Sequence, residues 1–145
     1  MTKSIAQILK LKGREVYSIA PDATVYEALK VMADAGIGAL VVLEREEVVG
    51  VFSERDHVRK VDLNGRCSHK AFVHQVMSED ICYVTPEVTV DEAMAIMTEN
   101  RCRHLPVMEK GQLVGLVSIG DLVKASLEEK DFVIKQLKQY IKGVP

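Results

Sequence analysis

Aromatic side chains are scarce in this 145-residue chain: they make up 5% of it, with no Trp at all. A platform that stacks single-stranded bases needs more than that, so any base held here must lie against aliphatic walls. A basic surface is also missing. The formal net charge is −2, whereas a dedicated nucleic-acid binder carries clustered positive charge. No apolar run approaches the length of a membrane span. Met1 to Arg14 has lysines but lacks the continuous apolar stretch of a secretory signal. The three cysteines, Cys67, Cys82 and Cys102, are odd in number and show no metal-type spacing, which points to a reducing, cytoplasmic setting. Cys67, His69, His74 and His57 match no closed tetrahedral template, and no metal is expected. No phosphate-binding Gly-rich loop is present, and Gly36-Ile37-Gly38 is too short for a dinucleotide fingerprint. The serines and acids are accounted for by helix starts, so no catalytic residue is expected.

What the chain does have is an internal copy. Pro21 to Arg59, moved forward 65 positions, falls without a gap on Pro86 to Lys124. Pro21, Thr24, Glu27, Ala28, Met32, Leu40, Val42, Gly50, Ser53 and Asp56 land on Pro86, Thr89, Glu92, Ala93, Met97, Leu105, Val107, Gly115, Ser118 and Asp121. A unit this short cannot easily bury its own core, so packing against its copy across a pseudo-two-fold axis is expected, with a cleft between the halves. Each copy begins with a β-prone segment (16–19 and 81–84) broken by a proline. Thr24-x-x-Glu27 and Thr89-x-x-Glu92 then read as capping boxes opening a helix. Two short apolar runs follow in each copy (39–43 and 48–52; 105–108 and 113–117), flanking a charged turn as in a hairpin. Ser53 and Ser118 open a second helix with Asp56 and Asp121 at its third position. The expected fold is α+β, each repeat running β-α-β-β-α. Short apolar helices precede the repeats at 5–9 and 73–77, the first followed by about three extra residues near Gly13. The expected divisions are a first repeat at 5–60, a linker at 61–72, a second repeat at 73–125 and a helical extension at 126–145. In that extension, apolar residues at 133, 134, 137, 140 and 141 make an amphipathic helix, either a lid on the protein's own sheets or a dimer contact.

Gly50-Val51-Phe52-Ser53-Glu54-Arg55-Asp56 and Gly115-Leu116-Val117-Ser118-Ile119-Gly120-Asp121, in matching places of a tandem β-α-β-β-α repeat, resemble the CBS domain pair, or Bateman module. Arg101-Cys102-Arg103-His104-Leu105-Pro106-Val107 resembles the family's basic-basic-Leu-Pro-Val strand. The first copy departs from it with Gly36-Ile37-Gly38-Ala39-Leu40-Val41-Val42. The resemblance covers about residues 5 to 125. It implies a regulatory binding module, not an enzyme, of the stand-alone kind. The implied ligand is an adenosyl compound in the cleft between repeats: AMP or NAD(H) first, then ADP or ATP, with S-adenosylmethionine an alternative. It also implies a homodimer whose geometry responds to the ligand, and a possible protein target. A ligand-free interaction scaffold is the other reading.

On that resemblance, Asp56 and Asp121 hold ribose hydroxyls, since a carboxylate accepts from two hydroxyls at once. Ser-x-x-Asp is also an ordinary helix-capping arrangement, and both readings stand at this point. Ser53 and Ser118 either contact phosphate at a helix N-terminus or only cap it. Arg103 and His104 are expected to meet the phosphate of the nucleotide whose ribose Asp56 holds. The counterparts Gly38 and Ala39 offer no charge, so the Asp121 site is expected to favour less local negative charge, or phosphates turned to solvent or to Arg55. Ile19, Ala20, Val84 and Thr85, just before the prolines, are expected to leave backbone groups open to an adenine edge. Ile37 and Cys102 would be its walls. Pro106 and Gly120 complete the implied set.

Overall fold

The computed structural model describes residues 3–141. In chain order its elements are α1 (Ile5–Lys12), β1 (Ser18–Ile19), α2 (Val25–Ala35), β2 (Ala39–Glu44), β3 (Glu47–Ser53), α3 (Glu54–Asp56), α4 (Val73–Val76), α5 (Val90–Asn100), β4 (His104–Glu109), β5 (Gln112–Ser118) and α6 (Ile119–Ile141). A π-helical turn, His57–Asp62, continues α3. The fold is α+β. Its contacts divide it into two compact units. The first runs from Glu15 to Ile81; the second joins the residues up to Arg14 with those from Cys82 onward.

Each unit is built on one hairpin. In the first, β2 pairs antiparallel with β3, and β1 adds in parallel through Ser18↔Val41 and Ile19↔Val42. In the second, β4 pairs antiparallel with β5, and the first-strand segment contributes a single parallel bridge, Val84↔Val107. The expected four-residue strands at 16–19 and 81–84 thus shrink to two residues and one, both at the end next to the proline. Both hairpins share a register shift at the same repeat position, between Val42 and Leu43 and between Val107 and Met108. Both turn through two residues with positive φ, Arg45 and Glu46 in one and Lys110 and Gly111 in the other, as a tight hairpin turn requires.

The helix starts follow the sequence reading in part. Thr24 Oγ1 accepts from Glu27 N and Thr89 Oγ1 from Glu92 N, both at 3.1 Å. At Thr89 the glutamate does not reach back to the main chain as a full capping box would. Instead Glu92 Oε1 accepts from the Thr89 hydroxyl at 3.0 Å. The full reciprocal box forms at Ser53 and Asp56.

The short helices are exchanged between the repeats. α1 precedes the first copy in sequence, yet Ile5, Ile8 and Leu9 are buried with Val90, Met97, Leu105 and Leu122 of the second. α4 precedes the second copy, yet Val73 and Val76 are buried with Val25, Met32, Leu40 and Phe52 of the first. The main-chain bonds are equivalent. Ile5 N donates to Val88 O (2.8 Å), Ala6 N to Pro86 O (2.9 Å), and Val90 N to Lys3 O (2.8 Å). In the first unit Val73 N donates to Ala23 O (2.9 Å), His74 N to Pro21 O (3.0 Å), and Val25 N to Ala71 O (2.8 Å). The expected divisions at 5–60 and 73–125 therefore differ from the compact units at both short helices. A repeat alignment tells which copy a helix precedes, and burial decides which copy it completes. The expected linker at 61–72 has structural ends, since Val61 and Ala71 are core residues of the first unit.

Each exchanged helix is seated on a glycine. A Cβ on Gly115 would lie 2.7 Å from a Leu9 methyl, and one on Gly50 would lie 2.6 Å from Met77 Sδ and 3.0 Å from the Ser78 carbonyl. The glycine that heads Gly-x-x-Ser-x-x-Asp is thus a seat for the helix end. α6 is one continuous helix of 23 residues, so the second-repeat helix and the expected extension are a single element. Leu122 and Ala125 are buried, whereas Leu127, Phe132, Val133, Ile134 and Leu137 are at least half exposed. The lid alternative does not hold for these residues. Tyr140 and Ile141 of the same expected face lie outside the described side chains.

Candidate functional site

Each unit presents a candidate site where its hairpin runs into a helix. In the first unit, Ser53 ends β3 and caps α3, which returns Asp56 to the strand end. Asp56 Oδ2 accepts from Ser53 N (3.0 Å) and the Ser53 hydroxyl (3.2 Å). Its Oδ1 accepts from the Ser78 hydroxyl at 3.1 Å and lies 3.2 Å from Lys60 Nζ. Asp56 is 7% exposed, a buried charged residue in a core otherwise apolar among the described residues. Two carboxylate oxygens with four partners are close to saturated. The Ser53 bonds are the capping reading in full. The Ser78 and Lys60 bonds come from an exposed and a half-buried residue and are the replaceable ones.

In the second unit, Asp121 Oδ2 accepts from Ser118 N at 2.8 Å and pairs with Lys12 Nζ at 2.6 Å. Lys12 Nζ also donates to Leu116 O at 2.7 Å. Burial pushes the Asp121 carboxyl up, but the Lys12 bond and charge, with the Ser118 amide and hydroxyl, hold it below the usual carboxylate range. The sequence carries no local sign of Lys12 as a partner, because the pair joins residues 109 positions apart.

The remaining expected residues divide by exposure. Arg55, Arg103, Ala20, Thr85 and Gly120 are exposed; Ile19, Ile37, Gly38, Cys102 and His104 are half-buried; Ala39, Val84 and Pro106 are buried. The open-backbone expectation does not hold at Val84. Its N–H donates to Pro106 O (3.1 Å) and its carbonyl accepts from Met108 N (2.8 Å), both spent on the sheet. Val84 and Pro106 are therefore bound to each other within the sheet and buried. The carbonyls of Ala20 and Thr85 close turns, accepting from Ala23 N and Val88 N. Burial, and then the neighbouring Cys82, push the Cys102 thiol up. His69, weighed with Cys67 as a metal ligand, stacks on Tyr26 with ring centroids 4.1 Å apart.

A cavity of about 410 Å³ opens in the first unit, lined by Leu29, Met32, Ala33, Gly36, Ile37, Gly38 and Glu54. Ile37 and Gly38 were expected at a ligand; Glu54 was not. It lies inside Ser-x-x-Asp, between the expected Ser53 and Arg55. Its amide donates to Gly38 O at 3.1 Å, and Ile119 N donates to Arg103 O at 2.8 Å in the second unit. The two strand-to-helix junctions thus share one main-chain clasp.

A hairpin, a capped Asp and an exchanged short helix, all occurring twice, define a tandem-repeat class of α+β fold. The CBS domain family model matches residues 8–59 and 73–128, and the chain belongs to the CBS-domain family, carrying a pair of such domains. Such proteins are regulatory modules. The chain is 38% identical to the mitochondrial CBS domain-containing protein CBSX3 of Arabidopsis thaliana, over 97% of this chain and 72% of that protein. Its fold matches a CBS-domain protein from Burkholderia ambifaria MC40-6 with a TM-score of 0.83 and 46% identity, over 87% of this chain and 95% of that one. A hexameric CBS-CP12 protein from bloom-forming cyanobacteria is 27% identical with a TM-score of 0.77, over 85% of this chain and 67% of that one. Among the described residues no helix is long and apolar enough to cross a membrane.

Proposed function

We propose that this protein is a non-catalytic sensor of adenosyl nucleotides, with AMP and NAD(H) as the leading ligands and ADP or ATP as further ones. The observation that carries the reading is the twin Ser-x-x-Asp junction. On each unit an aspartate is oriented by its serine amide, while its other partners are side chains that a ribose diol can replace. At Asp56 the exchange is hydroxyl for hydroxyl, because Ser78 Oγ leaves as a sugar hydroxyl arrives. Hydrogen bonds to a charged acceptor are worth about 1.5–3 kcal/mol each. Arg103 and His104, at the start of β4, supply the charge suited to phosphate. No such charge stands at Gly38 and Ala39, so the two half-sites are inequivalent.

A ligand acts as a signal only through different affinity for two states of the protein. The readout proposed here is a change in module or dimer geometry passed to a protein target in a reducing, cytoplasm-like compartment. α6 is the dimer element in this reading, since Leu127, Phe132, Val133, Ile134 and Leu137 form its exposed apolar end and a relative is hexameric. Light scattering should show a dimer that Phe132→Glu with Leu137→Glu converts to monomer; an unchanged mass rejects the α6 contact.

The decisive test is thermal stability of ligand-free protein against AMP, ADP, ATP, NAD+, NADH and S-adenosylmethionine. A ligand at a hundredfold excess over its Kd stabilises by about 2.7 kcal/mol, and Asp56→Ala should reduce the gain. No shift with any of the six rejects the reading.

A further inference from the structure

Glu54 is the one charged residue lining the 410 Å³ cavity of the first unit. The rest of the lining is Leu29, Met32, Ala33, Ile37 and two glycines. The Glu54 carboxylate is exposed and has no ion-pair or hydrogen-bond partner among the described residues. It lies 3.9 Å from where a Cβ on Gly38 would stand, so glycine at 38 leaves the space before it open. A mostly apolar cleft with a single placed charge is the ordinary form of a small-molecule site.

The second unit inverts this arrangement. By the 65-residue shift, Gly38 becomes Arg103 and Glu54 becomes Ile119. The same clasp, amide of the helix residue to carbonyl of the strand residue, joins both pairs. One clasped pair, Gly38 and Glu54, therefore carries an acid and no base, and the other, Arg103 and Ile119, a base and no acid. We infer that Glu54 makes the first unit's cleft a selector for the uncharged or cationic end of an adenosyl ligand, turning phosphate away; this rests on the adenosyl reading above. An ammonium or sulfonium group meets an unpaired carboxylate there, whereas a phosphate meets a like charge over apolar walls.

The test is a titration of isotope-labelled full chain, following the Gly36 and Gly38 amide resonances so that occupancy of this cleft is read directly. The probes are adenosine, AMP and S-adenosylmethionine, and the variants are Glu54→Gln and Glu54→Asp. Removing one unit charge a few ångströms from a ligand charge near the surface is worth about tenfold in affinity. Glu54→Gln should tighten AMP and weaken S-adenosylmethionine, each by about tenfold, with adenosine unchanged. Glu54→Asp should keep the wild-type order. If adenosine binds but the ratio of AMP to S-adenosylmethionine affinity does not move, the selector fails and the adenosyl reading stands. If adenosine moves neither amide in any form of the protein, this inference falls; whether the adenosyl reading falls with it is decided by the thermal-shift panel.

Discussion

Asp56 and Asp121 hold matching places in two copies of one unit, and what surrounds them differs. Asp56 is buried and shares its second oxygen with a serine hydroxyl and Lys60. Asp121 is less buried and is paired with Lys12, which arrives from the exchanged helix α1. Gene duplication preserved the junction and let its partners diverge. The charge pattern diverged with them: Glu54 faces Gly38 where Ile119 faces Arg103. A duplicated junction thereby carries two different charge patterns, which two identical copies could not.

The comparison can be broken most severely at the exchanged helices. Leu9→Ala removes a side chain that is 1% exposed and seated on Gly115, and buried Leu→Ala changes cost about 2–5 kcal/mol. Hydrogen exchange should show protection falling in residues 82–125 while residues 15–81 keep theirs. Loss confined to the first unit would refute the exchange.

The seats themselves give a smaller, graded effect. A Cβ at Gly50 meets the rigid Ser78 carbonyl as well as Met77, whereas at Gly115 it meets only the flexible Leu9 side chain. Overpacking costs about 1–3 kcal/mol. Gly50→Ala should sit near the upper end and Gly115→Ala near the lower, by denaturant unfolding. Equal losses would remove the distinction.

The smallest effect lies in the acid limb. Asp121 titrates below its ordinary range when folded, so its contribution is present above the unfolded carboxyl value and fades as pH falls through the depressed folded one. Lys12→Met should cost at most about 1 kcal/mol at neutral pH. The gap from wild type should narrow as the solution is acidified through that window, leaving the Leu116 bond as remainder. A gap that widens in acid would contradict the Lys12 pairing.

Much of this architecture is legible in the residues. The hairpins follow from paired apolar runs around charged turns, and the helix starts from Thr24, Thr89, Ser53 and Ser118. These are local signals, fixed by neighbours a few positions away. The exchange of α1 and α4 is not legible, because Ile5-x-x-Ile8-Leu9 and Val73-x-x-Val76-Met77 present equivalent apolar faces to equivalent grooves. Lys12 was hidden for the same reason, its partner being fixed by packing over a long sequence distance. Val84 was misjudged because a proline two residues later ends a strand without freeing the residue before it. Glu54 carries no signal of its own in the sequence, because its neighbours in the motif explain the helix start without it.

The exchanged helices also bear on the order of synthesis. α1 leaves the ribosome before the second repeat, but the groove that receives Ile5, Ile8 and Leu9 is made from Val84 to Ala125, which is synthesised after it. The segment from Glu15 to Ile81 can close on α4 while α1 still waits, with its apolar face uncovered, for the residues from Cys82 onward to emerge.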